Sequence, residues 1–208
     1  MSITCQFNGR LGNIVINICQ LIAYAKRHNL DYYIPTNAWA CTGGIPSITV
    51  PSTGIRPQSP VQYHEPVDTL GHPYFHDIPA MDNVEFIGYY QSFLYFDAYR
   101  DDILAAFNLP HHTEYGVVGI SSRRGDCINQ MIPGTNTFAF PIAPREYYQR
   151  AVQYMIDRGH THFRVYGDDV NWHKGEFTSD NYPGATFEYS EGRNELEDYI
   201  SLQNCEHQ

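Results

Sequence analysis

Short apolar segments alternate with longer amphipathic segments in the second half of this chain, and that alternation constrains the fold more than any other feature. Residues 117–120, 163–166 and 187–189 are apolar enough for buried strands. Residues 144–158 and 194–205 carry apolar side chains at helical spacing. Strands that alternate with helices form parallel sheets with helices on both faces, so the sequence predicts an α/β lobe. Because the sequence stops just after the last helix, we expect no further strand in that sheet.

The first half opens with the same alternation. The pattern predicts a strand at 3–7, a glycine-punctuated turn at 9–13, a helix from Leu11 and a strand at 31–34. The longest apolar-rich stretch lies in this helix, is too short to span a bilayer and is interrupted by polar residues such as Gln20. We therefore expect a compact βαβ unit here.

The regular pattern is lost at 40–82. Seven of the 13 prolines of the chain fall in this stretch, which predicts a long irregular excursion. A strand at 84–90 follows, and then a helix capped by Ser92 with apolar residues spaced along 93–107.

The proline that ends this helix separates the two halves. We predict an N-terminal α/β lobe at 1–110 and a second α/β lobe at 111–208.

Charge and cysteine content exclude several classes of protein. The net charge is -10, with 13 basic against 23 acidic residues, which argues against a nucleic-acid binder. The five cysteines have no CxxC spacing, so a reduced compartment is favoured over disulfides or zinc. No signal peptide or transmembrane segment is recognised, which predicts a soluble, cytoplasmic protein and leaves a peripheral membrane association open.

Two adjacent arginines directly follow the first predicted strand of the second lobe, in the run 121–126. Ligands of open α/β sheets bind beyond the carboxyl ends of strands. Arg123 and Arg124 offer planar forks for a diphosphate, and Gly125 allows the backbone to approach it. Asp126 can orient an arginine or accept a hydrogen bond from a hydroxyl. The spacing alone fits a pair of solvent-facing arginines equally well.

A pair of carboxylates follows the next strand, in Gly167-Asp168-Asp169. Such a pair suits a metal, a ribose or a base edge, and it suits equally the N-cap of a helix that starts after Asp169. The histidines contain no HExxH motif, and His160 and His162 are interpreted as surface residues rather than metal ligands.

The turn before the first helix contains Gly9, Arg10, Gly12 and Asn13. It has neither the GxGxxG spacing nor the lysine of a P-loop. The helix N-terminus that follows could still face an anion.

Six segments of the chain resemble, in order, motifs of glycosyltransferase family 11, the α-1,2-fucosyltransferases: 9–13, 88–92, 121–126, 147–151, 167–172 and 196–207. They correspond to a Gly-Leu-Gly-Asn turn, a Gly-Tyr-Phe-Gln-Ser segment, the Arg-Arg-Gly-Asp motif, the helix after it, Ser-Asp-Asp with Trp, and a late helix. Ser121 stands where the family has His, Gly167 where it has Ser, and Ile14 where it usually has Gln. The family continues with a segment that this sequence lacks. An incomplete second lobe is therefore one expectation from the resemblance.

The resemblance implies a GT-B-like fold of two Rossmann-like lobes, with the acceptor on the N-terminal lobe and GDP-fucose on the C-terminal lobe. It implies inverting, metal-independent transfer of fucose to the 2-hydroxyl of a galactoside, with no cofactor. Arg123 is the first candidate for the β-phosphate and Asp126 a candidate general base. The residues expected to bind GDP-fucose are Arg123, Arg124, Gly125, Asp168, Asp169, Gly9, Arg10, Gly12 and Asn13.

Three alternatives stay open at this stage. The first is a catalytically inactive nucleotide-sugar-binding relic, and the second is a related fucosyltransferase with a different acceptor. The third is a structural α/β protein whose arginine pair lies at an interface. Binding of GDP distinguishes the third alternative from the others, because a ligand that binds only the native state raises its stability.

Overall fold

The computed structural model describes residues 2–38, 50–108, 112–125, 128 and 142–208. The chain divides into two compact units, unit 1 at Met1–Leu109 and unit 2 at Pro110–Gln208. Each unit contains one four-stranded sheet with helices. The α/β class predicted from the alternating pattern is therefore confirmed.

Unit 1 forms a wholly parallel sheet in the strand order β2-β1-β4-β3. Its elements are β1 (Ser2–Cys5), α1 (Leu11–His28), β2 (Asp31–Tyr32), β3 (Val61–His64), β4 (Val84–Ile87) and α2 (Arg100–Phe107). Because β1 pairs with β2 on one side and β4 on the other, the sheet order reverses at β1.

Helix α1 forms because its apolar residues recur at helical spacing and are buried against the sheet, among them Ile14, Ile18 and Leu21. It ends at Asn29, whose left-handed backbone (φ 52°) closes the last turn. Three basic residues in that turn complement the helix dipole.

Two expectations for unit 1 were wrong. The stretch 40–82 contains strand β3, which pairs in parallel with β4; its mostly exposed side chains give it no apolar signature. The helix predicted from Ser92 is instead two 3-10 turns followed by the short α2, and Ser92 makes no side-chain cap. Tyr95 packs against the buried Tyr90 (ring centroids 5.4 Å apart), whereas Phe93 is exposed, so the apolar residues do not lie on one helical face.

Unit 2 also forms a parallel sheet, in the order β7-β6-β5-β8. Its elements are β5 (Glu114–Ser121), α3 (Arg145–Ile156), β6 (His162–Tyr166), α4 (Val170–Glu176), β7 (Thr186–Tyr189), α5 (Glu195–Asn204) and β8 (Cys205–His207). Strands β6 and β7 follow on one side of β5, and β8 returns to its other side, so this sheet reverses its order at β5.

The expectation that no strand follows the last helix was wrong. β8 begins directly after α5 and pairs with β5, with Cys205 opposite Glu114. Strand β8 has only three residues of mixed polarity, which is too few to show the alternation of apolar and polar residues that predicts a strand.

The core of unit 2 explains why α3 and α4 pack on this sheet. Val118, Phe163 and Val165 are buried against Tyr148 of α3 and Phe177, which directly follows α4. Burial of such apolar area is the main favourable term in folding. In the part of the chain that the structure describes, no helix is both long and apolar enough to cross a membrane.

Candidate functional site

The arginine run and the aspartate pair lie at the same edge of the unit 2 sheet. Ser121 at the end of β5 is in register with Tyr166 at the end of β6. The Ser122 N–H donates to the Tyr166 carbonyl at 2.9 Å, which extends the pairing one residue further. Residues 123–125 and 167–169 are therefore neighbouring loops at the carboxyl ends of parallel strands, beside the strand at which the sheet order reverses. That is the place where open α/β sheets bind ligands.

Asp168 ties these two loops together. Its Oδ1 accepts hydrogen bonds from the backbone N–H groups of Arg124 (2.7 Å) and Gly125 (2.8 Å). Burial raises the pKa of the Asp168 carboxyl, but these two donors, together with the charge of Arg123, outweigh it and hold that pKa below its usual range. Asp168 is thus ionised at neutral pH and fixes the backbone of the arginine loop.

The two arginines have different surroundings. The Arg124 side chain is 20% exposed, and its Nε lies 3.4 Å from Asp169 Oδ2. Its guanidinium also covers the ring of Trp172, 4.0 Å from the centroid. Arg123, by contrast, is exposed. The interpretation of the two as a pair of solvent-facing arginines does not fit this geometry, since the Arg124 side chain is mostly buried against Asp169 and Trp172.

Asp169 performs the capping role that the sequence left open between the two aspartates. It is the N-cap of α4, and its Oδ1 accepts from the Trp172 N–H at 3.1 Å. The cap sets the direction of α4 and places Trp172 under Arg124. One carboxylate therefore fixes the loop backbone, and the other fixes the helix and the arginine.

Gly167 makes the close contact between the loops possible. Its φ of +148° is one that side chains rarely adopt. A Cβ there would overlap the Ser122 carbonyl oxygen and lie 2.8 Å from the His173 ring. A glycine where the family has serine is thus consistent with this local packing.

His173 lies behind this turn and was not recognised from the sequence. It is 1% exposed. Burial lowers the pKa of the His173 imidazole, opposed by a hydrogen bond with the Ser122 backbone and by the two nearby aspartates. The available signal was its position four residues after Asp169, which places it on the same side of α4.

The turn of unit 1 occupies the equivalent position in its own sheet, directly after β1. Gly9 has a positive φ of 87°, and Arg10 is the N-cap of α1 without a side-chain cap. Asn13 Oδ1 accepts from Gln91 Nε2 at 2.7 Å. Gly12 has nothing within 4 Å of the place where a Cβ would lie. These four predicted binding residues belong to unit 1, and the arginine loop belongs to unit 2.

Asp126, the predicted general base, lies outside the described residues. Within the described residues, His160, Glu206 and His207 form a group whose possible metal-ligand atoms all lie within 4.8 Å of one another. The Glu206 carboxylate already accepts a hydrogen bond from the Gly116 N–H at 2.6 Å. None of these three residues belongs to the arginine loop or to the aspartate pair.

The fold and the loops define an α/β protein with an arginine loop and an aspartate pair at the switch point of a parallel sheet. The chain belongs to glycosyl transferase family 11, whose model matches residues 1–208. The family resemblance inferred from the motifs is thereby confirmed.

A named relative extends this comparison. The chain is 26% identical over 228 residues to the galactoside 2-alpha-L-fucosyltransferase SEC1 of Bos taurus. The match covers 98% of this chain and 60% of that protein, so the chain spans less than two thirds of the relative's length. No solved structure matches the chain.

Proposed function

We propose that this chain transfers fucose from GDP-fucose to the 2-hydroxyl of a galactoside, with inversion and without a metal ion. The family and the name of the bovine relative support fucose transfer. The observation that carries the proposal is the arginine loop at the carboxyl end of β5, which Asp168 fastens to the end of β6. A fixed cationic loop at a switch point suits a sugar nucleotide.

The donor diphosphate is assigned to unit 2. Arg123 is exposed and provides the guanidinium for the β-phosphate. Arg124 stabilises the loop by its ion pair with Asp169 and its contact with the Trp172 ring. Its guanidinium adds positive charge beside that of Arg123. Gly125 leaves room for the Asp168 carboxylate beside the loop backbone, since a Cβ there would lie 2.7 Å from Asp168 Oδ2. Two arginines supply the positive charge that the leaving diphosphate needs, which is why we propose a metal-independent reaction.

The transfer is a single displacement. The 2-hydroxyl oxygen of the acceptor attacks the anomeric carbon of fucose, and the bond from that carbon to the β-phosphate oxygen breaks. GDP leaves with the bonding electrons, stabilised by Arg123, and the hydroxyl proton passes to a general base. Asp126 is our candidate for that base. The two parallel-sheet units are compatible with the Rossmann-like lobes of a GT-B fold, with the acceptor assigned to unit 1.

Calorimetric titration of GDP and GDP-fucose, with Arg123→Ala and Arg150→Ala alongside, tests the donor site. Arg150 is an exposed arginine on α3 and serves as the matched control. We expect Arg123→Ala to weaken GDP binding at least about tenfold, since a charge-assisted hydrogen bond is worth about 1.5–3 kcal/mol. Equal affinity of the two variants, or no GDP binding by the folded wild type, would contradict the proposal.

Release of GDP in the presence of a galactoside tests the transfer itself, with and without EDTA. GDP binding without turnover would identify an inactive sugar-nucleotide-binding protein. Turnover with another acceptor alone would identify a related fucosyltransferase.

A further inference from the structure

Two histidines and a glutamate of unit 2 form a cluster outside the arginine loop. His160 lies in the turn between α3 and β6, whereas Glu206 and His207 belong to β8. One possible metal-ligand atom from each of the three lies within 4.8 Å of the other two. The sequence alone indicates a surface role for His160, because its neighbours in this cluster are far away along the chain. The fold therefore assembles a donor set that no local motif announces.

An irregularity in β5 positions the glutamate of this cluster. Residues Glu114–Val118 of β5 lie opposite Cys205–His207 of β8, so five residues oppose three and the register shifts. Gly116 lies in this interval with a φ of +80°, which glycine adopts readily. Its N–H donates to Glu206 Oε2 at 2.6 Å. A hydrogen bond of this kind typically orients a carboxylate that binds a metal through its other oxygen.

The two imidazoles lie side by side. The ring centroids of His160 and His207 are 4.5 Å apart, and the ring planes are inclined at 75°. Among the residues that the structure describes, neither ring has an ion-pair partner or a side-chain hydrogen bond. Imidazole nitrogens are the commonest metal ligands among side chains. Two of them beside an oriented carboxylate therefore have the composition of a metal site.

The donor set favours Zn²⁺. Two histidines and one glutamate are the protein ligands of known zinc sites that keep a fourth position for water. Mg²⁺ and Ca²⁺ prefer oxygen ligands, so two nitrogens select against them. Tetrahedral Zn²⁺ with bonds of about 2.0–2.1 Å holds its ligand atoms roughly 3.3 Å apart. The present limit of 4.8 Å is closed by small side-chain rotations, for which the exposed Glu206 has room.

We propose that His160, Glu206 and His207 bind one Zn²⁺ ion, with water as the fourth ligand. The ion links β8 to the turn before β6, on the two sides of β5, and so stabilises the sheet of unit 2. His160 precedes β6, whereas the arginine loop lies at the far end of that strand, about 13 Å further on. The zinc site does not rest on the transferase function and takes no part in the transfer.

Calorimetric titration of ZnCl₂ into untagged, EDTA-treated and dialysed protein tests the site, with bound zinc counted by mass spectrometry. His160→Gln and His207→Gln each remove one ligand. His162→Gln is the matched control, because His162 begins β6 and has its own partner, Glu188, at 3.1 Å. We expect one Zn²⁺ per wild-type chain. Each ligand variant should bind it at least about tenfold more weakly, since loss of even an outer partner costs about 10–100-fold, and His162→Gln should bind it as the wild type does.

Glu206→Gln provides a further variant that keeps the fold, because its amide oxygen still accepts from the Gly116 N–H. It removes the charged ligand, and we expect at least about fivefold weaker zinc binding. Co²⁺ bound by the wild type should show the visible absorption of a tetrahedral ion, and the histidine variants should lose it.

The proposal is overturned if the folded wild type binds no stoichiometric Zn²⁺, or if His160→Gln and His207→Gln bind it as tightly as the wild type. Equal loss of binding in His162→Gln would also overturn it. GDP titrated into the zinc-free protein reports on the arginine loop separately, so failure of one site is distinguishable from failure of the other.

Discussion

Each unit has a glycine- and arginine-bearing loop directly after the strand at which its sheet reverses order, but the two loops are held differently. In unit 2, the Asp168 carboxylate fastens the loop backbone to the next strand end. In unit 1, the loop runs straight into α1, and its described tie is a bond between two neutral side chains, Asn13 and Gln91. An ionised acceptor makes hydrogen bonds about twice as strong as a neutral one. The same position in a parallel sheet can therefore carry a loop whose backbone is fixed by an ionised carboxylate, or one beside which two neutral side chains bond to each other.

The largest effect should come from cutting the two ties. Asp168→Ala leaves two backbone N–H groups without their acceptor, and we expect a loss of about 2 kcal/mol of stability after allowance for solvent exposure. It should also weaken GDP binding at least tenfold, because the loop must then be ordered on binding. Asn13→Ala should cost only about 0.5–1 kcal/mol. Urea unfolding with and without GDP measures both.

Equal losses from Asp168→Ala and Asn13→Ala would break the comparison. Asp168→Asn is the control variant, because it keeps an oxygen acceptor in place and should retain most of the loop.

Replacing one glycine in the unit 2 loop and one in the first turn of α1 sharpens the contrast. A Cβ on Gly125 would lie 2.7 Å from Asp168 Oδ2, whereas one on Gly12 would meet nothing within 4 Å. We expect Gly125→Ala to destabilise the protein by about 1–2 kcal/mol. Gly12→Ala should stabilise it by about 0.5–1 kcal/mol, because alanine is the better helix former. Paired thermal melts decide the matter, and a stabilising Gly125→Ala would be inconsistent with a tightly tied loop.

The two arginines of the unit 2 loop should separate stability from binding. Arg124→Ala loses the ion pair with Asp169 and the stacking on Trp172, together about 1 kcal/mol. The exposed Arg123→Ala should change stability by less than about 0.5 kcal/mol while it weakens GDP binding. Denaturant midpoints compared with calorimetric affinities test this division. A destabilising Arg123→Ala would mean that both arginines are structural.

The smallest effect concerns pH and the buried imidazole behind the unit 2 loop. Burial lowers the pKa of His173 in the folded state, so below pH about 6.5 the unfolded chain binds a proton that the folded chain does not. Stability is therefore lost as pH falls from about 6.5 through the folded pKa. His173→Gln should flatten this decline in melts between pH 7 and 5, while His64→Gln, at an exposed position, should not. An unchanged slope in His173→Gln would assign the decline to other groups.

The α/β class and the family could be predicted because they rest on repeated signals. The pattern of buried strands and amphipathic helices recurs along the chain. The family motifs, such as the Arg123–Arg124 pair, occur in the family's order. Strands β3 and β8 could not be predicted, because an exposed edge strand and a three-residue strand have no apolar periodicity. Their pairing is decided by the neighbouring strands.

The structure places the predicted arginine run beside the predicted aspartate pair, but the sequence could not assign the separate contacts of the two aspartates. Asp168 and Asp169 are adjacent and chemically identical, and only the three-dimensional position of the neighbouring loop assigns one to the backbone and the other to α4. The buried His173 depends on the same geometry.

The stacking of Arg124 on Trp172 has a spectroscopic consequence. The chain has only two tryptophans, so Trp39→Phe leaves Trp172 as its single indole fluorophore. That indole lies 4.0 Å under a guanidinium of the arginine loop. Tryptophan fluorescence is sensitive to the electric field at the ring. Displacement of Arg124 by an anion should therefore change the emission wavelength or intensity of Trp172. The loop thus carries its own optical reporter, readable at micromolar protein without any attached label.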